Sequence, residues 1–342
     1  MIGLGHRLTL GIPTQGKRPD RLARAIGSAL GQSVPSRVLV SYQGDDPYGL
    51  DAIEPFRDNP AVRIVESPAS CLWENWTFAA ESCDTEIFAW LQDDDVISPH
   101  FARRAIAAFD RHPKAVAWIA RLGISFAEGS SCWWKATGPL VPMDLINGGL
   151  TEVDGLLMAA GAYFSSFALS PGVAFRCRTE ALDCVRRCPQ NSDLFTERTI
   201  LAELGTLGPV VCDPAVVGYW CQHESNESRA QTAGGLEAIA KQYDLMAESI
   251  DRILTANPRW GDMLKGWIAI VGQEIAMKWF DETDKFNPSV PTFERARLIL
   301  AEMIGIPIEV APEAMPERPM PLAPERATDR KARRAERAIA RG

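Results

Sequence analysis

The chain has 342 residues, of which 46% are apolar, and a net charge of −8. The length suits one large domain or a domain with an appendage, and the apolar share is enough for a full core. The acidic balance argues against a protein that coats nucleic acid. No apolar run reaches the roughly 20 residues of a membrane span. The opening segment, with His6 and Arg7, lacks a sustained apolar stretch, so a cytoplasmic protein is expected. The eight cysteines are scattered without C-x-x-C spacing. Cys184 and Cys188 lie four apart on an expected helix and could bridge a metal, but free buried thiols are the better reading for a reducing compartment.

In chain order, Leu8–Pro13 reads as a first strand that proline ends, because proline cannot donate to a sheet ladder. A helix follows from about Pro19, with Leu22, Ile26, Ala29 and Leu30 on one face. Strands are expected at Val38–Ser41 and Ala61–Val65, a helix at Trp73–Ser82, and a strand at Ile87–Leu91. Ser98-Pro99 looks like an N-cap and first helical position. Val116–Ile119 is one more strand. Strands alternating with helices predict an α/β fold with a mostly parallel sheet flanked by helices. Ligands of such sheets bind beyond the carboxyl ends of the strands.

After residue 120 the alternation breaks into a stretch rich in glycine and aromatics. Trp133 and Trp134 could stack on a sugar ring or simply pack. The small residues of 148–170 could form a lid. Regularity returns with a strand at Gly172–Arg176, a helix capped by Thr179, a helix at Asp193–Leu204, and strands at Pro209–Cys212 and Val216–Trp220. Long helices are expected at Leu236–Ala256 and Trp260–Phe280, and a third at Phe293–Ile304. Three regions result: 1–230 as the α/β domain, 231–306 as a C-terminal helical appendage, and 307–342 as a tail. The tail is Pro-rich and then basic; it has little to bury and is expected to be disordered. A membrane-surface role for its last, basic segment is the weaker of two readings, a solvated tail being the other.

The most informative stretch is Ile87–Pro99, where an apolar strand runs into Asp93, Asp94 and Asp95. Three adjacent carboxylates need a cation or hydrogen-bond donors to be stable together. Oxygen ligands of this kind suit Mg²⁺ or Mn²⁺, which commonly bridge carboxylates to substrate phosphates. An acidic turn between strand and helix is the alternative. A nucleotidyltransferase is disfavoured by the lack of a Gly-rich, Lys- or Arg-bearing loop after the first strand.

The order of these pieces resembles the GT-A-fold glycosyltransferases, a Rossmann-like fold, and within them the inverting group called family 2. Four places carry the resemblance: Leu10-Gly-Ile-Pro-Thr14 with Arg18-Pro-Asp-Arg-Leu22; Cys71-Leu-Trp-Glu-Asn-Trp76 followed by Phe88–Asp95; Ser170–Arg176 with Thr179–Leu182; and Ser192-Asp193, Leu201–Gly205 and Val216–Ser228. Together they cover about residues 8–228. The resemblance implies transfer of a sugar from a nucleoside-diphosphate donor, UDP-linked by first expectation, to a hydroxyl acceptor. That acceptor could be a surface glycan, a lipid-linked sugar or a small molecule. It implies Mn²⁺ or Mg²⁺ held by Asp95 and His223, with Pro13, Thr14, Gln43, Asp45, Asn75, Asp93 and Asp94 lining the nucleotide site. Asp193 is the implied general base and Glu197, one turn later, the reserve. It also leaves open a peripheral contact with the inner face of the membrane. A non-catalytic nucleotide-sugar-binding protein of the same fold is the alternative function.

Overall fold

The computed structural model describes residues 6–44, 47–126, 131–133, 149–164, 170–188, 196–223 and 248–262. The first half is a run of strand–helix units: β1 (Leu8–Thr14), α1 (Pro19–Leu30), β2 (Arg37–Tyr42), α2 (Pro47–Ile53), β3 (Val62–Glu66), α3 (Leu72–Glu81) and β4 (Ile87–Trp90). A two-residue β5 (Val96–Ile97), α4 (Phe101–Arg111) and a long β6 (Ala117–Phe126) follow. Then come β7 (Ser131–Trp133), β8 (Thr151–Val153), α5 (Gly155–Phe164), β9 (Val173–Arg176), α6 (Thr179–Arg187), α7 (Thr196–Gly205) and β10 (Val210–Gln222). Residues 248–256 are helical and are called α8.

The described strands form one sheet in the order β3-β2-β1-β4-β9-β6-β10-β5, with β7 beside β6 and β8 beside β10. β3, β2, β1 and β4 are joined by parallel ladders, as are β6 and β10. β9 runs antiparallel between β4 and β6. Two antiparallel steps restore direction, so β10 points the same way as β1, β2 and β4. Its carboxyl end therefore arrives at the same rim as theirs.

Strand residues alternate between two cores, as the period of two requires. Ile87, Ala89 and Leu91 face α1 and α4, together with Leu8, Leu10, Ile12, Trp118 and Ala120. Phe88, Trp90, Ala117, Ile119 and Phe175 face the opposite core, which holds α3, α5, α6 and α7. Trp76 stacks on Trp90 with centroids 5.3 Å apart, and the Trp90 indole N–H donates to the Trp76 carbonyl at 3.0 Å. The sheet is thus covered by helices on both sides.

The differences from sequence expectation have local causes. β1 continues past Pro13 because a parallel partner, β2, still pairs with Thr14 through Tyr42. α4 starts at Phe101 with His100 as N-cap, not at Ser98-Pro99; Ser98 Oγ accepts the His100 N–H at 3.3 Å one turn earlier. α6 begins at Thr179, so Arg178 is the cap and no side-chain cap bond forms. The two strands expected at 209–220 are one, β10, whose register shifts between Asp213 and Val216. Pro214 cannot donate to a ladder, and the Asp213 carboxylate accepts the Ala215 N–H at 3.0 Å, which makes a bulge in place of a break. The stretch after residue 120 contains β7, β8 and α5, which composition alone does not separate. Asp193 and the start of its expected helix, Trp134, the expected helices beyond residue 262 and the tail lie outside the described residues.

The described part of the C-terminal helical region packs on the core. Ile250, Ile253 and Trp260 belong to the cluster with α5, α6 and α7, and the Trp260 indole donates to the Leu156 carbonyl at 2.8 Å. Glu203 on α7 is buried and accepts from Ser249 at 2.9 Å and from Arg252 at 3.0 Å.

Among the described residues no helix is long and apolar enough to cross a membrane.

Candidate active site

The rim where β1, β2, β4 and β10 end collects most of the residues singled out in the sequence. After β4 the chain turns, and Asp93, Asp94 and Asp95 are all buried there. Each carboxylate has a different set of partners. Asp93 accepts from the Thr14 hydroxyl at 2.6 Å and from Arg18 Nη2 at 2.7 Å. Asp94 Oδ2 receives Arg18 Nη1 at 2.6 Å and lies 2.9 Å from His223 Nε2. Asp95 Oδ1 accepts the Cys221 N–H at 2.7 Å. Its other oxygen is buried and has no hydrogen-bond partner among the described residues.

The charges follow from these contacts. Burial raises the Asp93 pKa, and the neighbouring Asp94 adds to it, while Arg18 and Thr14 oppose the rise. Asp95 is pushed well above the ordinary carboxylate range, first by burial and then by Asp94. Burial lowers the His223 pKa against the pull of Asp94, so the imidazole is held towards its neutral form. A neutral imidazole is the form that ligates a metal.

The strand ends are locked by two residues. Thr14 is buried and its hydroxyl also accepts the Gly16 N–H at 2.9 Å, closing a turn in which Gly16 takes φ 74°. Asn75 on α3 is fully buried. It accepts from Ser41 Oγ at 2.5 Å and donates to the Ser41 carbonyl at 3.0 Å. Its amide is spent on β2, so Asn75 positions the rim from beneath. Pro13 is a buried residue of β1, paired with Ser41 of β2. Gln43 follows β2, donates its N–H to the Thr14 carbonyl at 2.8 Å, and has a buried side-chain oxygen without a partner among the described residues. Asp45 and Asp193 lie outside the described residues.

Glu197, in the first turn of α7, reaches the same rim. Gln92, just before the trio, donates to its carboxylate at 3.3 Å. Burial raises its pKa from 4.5 to about 7, against the Ser170 N–H, Gln92 and Arg198. A carboxyl poised near neutrality can take a proton and release it at working pH.

Asp94, Asp95 and His223 are of the donor types that a divalent cation takes. The second oxygen of Asp95 is buried without a hydrogen-bond partner among the described residues, which leaves it open to a donor or a cation. Among the described residues no group of three or more His, Cys, Asp or Glu side chains is arranged to hold a metal ion.

The sequence model of glycosyl transferase family 2 matches residues 9–151, the segment that holds β1 to β7 and the aspartate trio. Over that stretch, less than half of the chain, the sequence is similar to the family 2 glycosyltransferases. No curated protein matches the chain. Among solved structures, S. aureus TarS residues 1–349 in complex with UDP-GlcNAc is similar with a TM-score of 0.60 and 14% identity, over 87% of this chain and 81% of that one. The same TarS fragment without the ligand gives a TM-score of 0.58 at 13% identity, with the same coverage. At these identities the likeness establishes the GT-A glycosyltransferase fold.

Two contributors to this site were absent from the sequence reading. Arg18 sits in the Arg18-Pro-Asp motif that carried the family resemblance, yet its role as the trio's counter-charge is visible only once α1 is folded over β4. Gln92 directly precedes the trio, and its link to Glu197 exists only once α7 is folded against that rim.

Proposed function

We propose that this protein is a glycosyltransferase that moves a sugar from a UDP-sugar, with a divalent ion, to a hydroxyl acceptor and inverts the anomeric configuration. The observation that carries the reading is the Asp93–Asp95 turn, buried at the rim of the sheet in the stretch similar to family 2 and within 2.9 Å of His223. The bound UDP-GlcNAc of TarS supports uridine as the nucleotide. Asp94, Asp95 and His223 would hold Mn²⁺ or Mg²⁺, which when bound supplies Lewis-acid stabilisation to the leaving diphosphate.

The protein's own residues do the rest. Thr14 and Arg18 hold Asp93 in one orientation, and Gln43, directly after β2, would contact the nucleotide. The acceptor hydroxyl gives its proton to a carboxylate as its oxygen bonds to the anomeric carbon. The bond from that carbon to the diphosphate oxygen breaks on the opposite face, so configuration inverts. Glu197 is the base this geometry favours, because its carboxyl is poised near neutrality. Asp193, four residues earlier, is the base the family resemblance implies. Acceptors of the surface-glycan, lipid-linked or small-molecule classes, and a cytoplasmic location with peripheral membrane contact, complete the proposal.

A donor screen tests it. Thermal shift with UDP-sugars against other nucleoside diphosphate sugars should single out uridine, since a ligand that binds only the native state stabilises it by mass action. NMR of the product anomer should show inversion. Glu197→Gln and Asp193→Asn made separately identify the base, which is the one whose loss lowers kcat about 100-fold or more.

A further inference from the structure

We propose that Arg18 is a built-in counter-cation of the aspartate trio which a divalent ion must displace, so that the guanidinium and the metal exclude each other at Asp93 and Asp94. The inference rests on reading the trio as the donor and cation site. It starts from the fork: Arg18 Nη2 lies 2.7 Å from Asp93 Oδ1 and Nη1 lies 2.6 Å from Asp94 Oδ2. Both carboxylates are buried, and Arg18 itself keeps 25% of its side chain exposed. A planar guanidinium bridging two carboxylates fixes their orientation as an ammonium would not.

The free positions around the trio are few. Asp93 spends one oxygen on Arg18 and the other on Thr14. Asp94 Oδ2 is shared between Arg18 and His223. An ion entering between Asp94 and His223 meets an oxygen that already carries a cationic donor. A dication and a guanidinium on one carboxylate repel each other, and low local dielectric strengthens that repulsion. One of them must leave.

Arg18 is placed to leave. It is the N-cap of α1, with φ −132° and ψ 67° and no side-chain cap bond; its carbonyl accepts the Leu22 N–H at 2.9 Å, which anchors the backbone and leaves the side chain as the moving part. The Gly16 turn precedes it. Its partly exposed side chain has solvent to swing into, while the carboxylates do not. The arginine thus keeps the buried carboxylates of Asp93 and Asp94 compatible in the absence of metal and sets a threshold for metal entry.

The test is Mn²⁺ titration by calorimetry on the full chain, comparing wild type with Arg18→Gln and Arg18→Lys. Without the competing cation, Arg18→Gln should bind Mn²⁺ about 10-fold more tightly, with Arg18→Lys between the two. The metal-free melting temperature of Arg18→Gln should fall, and Mn²⁺ should raise it by more than it raises that of the wild type. Equal or weaker Mn²⁺ binding in both variants overturns the proposal, since Arg18 would then assist the ion or ignore it. If Arg18→Gln does not fold, Arg18→Lys decides the question by the same criterion. Absence of Mn²⁺ binding in every form also overturns it. UDP binding measured in EDTA then judges the donor-site reading independently.

Discussion

At the scale of single residues, the site is a problem of buried charge. Asp95 is the most exposed to that cost, with burial and Asp94 both raising its pKa. Asp95→Asn removes the charge and keeps the shape, so it is expected to leave the metal-free melting temperature unchanged or raised while transfer falls at least 100-fold. Urea melts and initial rates check both halves. Glu197 makes a pH prediction. Its folded pKa, about 7, lies above its ordinary 4.5, so the folded state binds more protons between those values. Its contribution is therefore favourable at low pH and is lost as pH rises through about 4.5 to 7. Glu197→Gln should then stabilise the protein at pH 8 by up to about 3 kcal/mol, with no gain at pH 4. If Glu197 is the base, the wild-type rate should also rise as pH passes through about 7. The carboxylates nearest in charge, Asp93 to Asp95, sit across the rim from it, and Asp95 feels Glu197 directly.

At the scale of elements, two devices hold the rim. Asn75 ties α3 to the end of β2, and its loss leaves the Ser41 carbonyl and hydroxyl short of partners. Asn75→Ala should cost about 2–3 kcal/mol, read from chemical denaturation. Helices α5 and α7 cross at Gly155 and Gly205. A Cβ on Gly155 would lie 2.1 Å from the Gly205 carbonyl oxygen, and one on Gly205 would lie 2.3 Å from that of Gly155. Backbone cannot yield cheaply, so either alanine variant should cost about 3 kcal/mol or more. The test is expression and melting of each variant, with Gly27→Ala on α1, where nothing lies within 4 Å, as the tolerated control.

Across the whole molecule, the first half was legible in the sequence. β1 to β4, α1 and α3 fall within a residue or two of expectation because apolar periodicity and turn residues agree there. The second half was less so for physical reasons. α5 reads Gly-Leu-Leu-Met-Ala-Ala-Gly-Ala-Tyr-Phe and is apolar nearly all round, which gives no face to detect. β7 and β8 are three residues each, and β10 hides one strand behind a bulge at Pro214. The trio and His223 were legible as types and order. Their convergence was not, since it depends on β9 reversing direction so that β10 returns to the rim. Arg18 was hidden for the same reason: a charge at a helix start looks like solvent-facing decoration until the helix is placed.

On the proposed function, Asp95 and His223, with Asp94, join UDP to the protein through a divalent ion. Calorimetric titration of UDP with and without Mn²⁺, on wild type and on Asp95→Asn, tests it most directly. The account predicts that Mn²⁺ tightens UDP binding to the wild type at least 10-fold and has no effect on Asp95→Asn. Equal UDP affinity with and without Mn²⁺, or an unchanged Mn²⁺ effect in the variant, would contradict it.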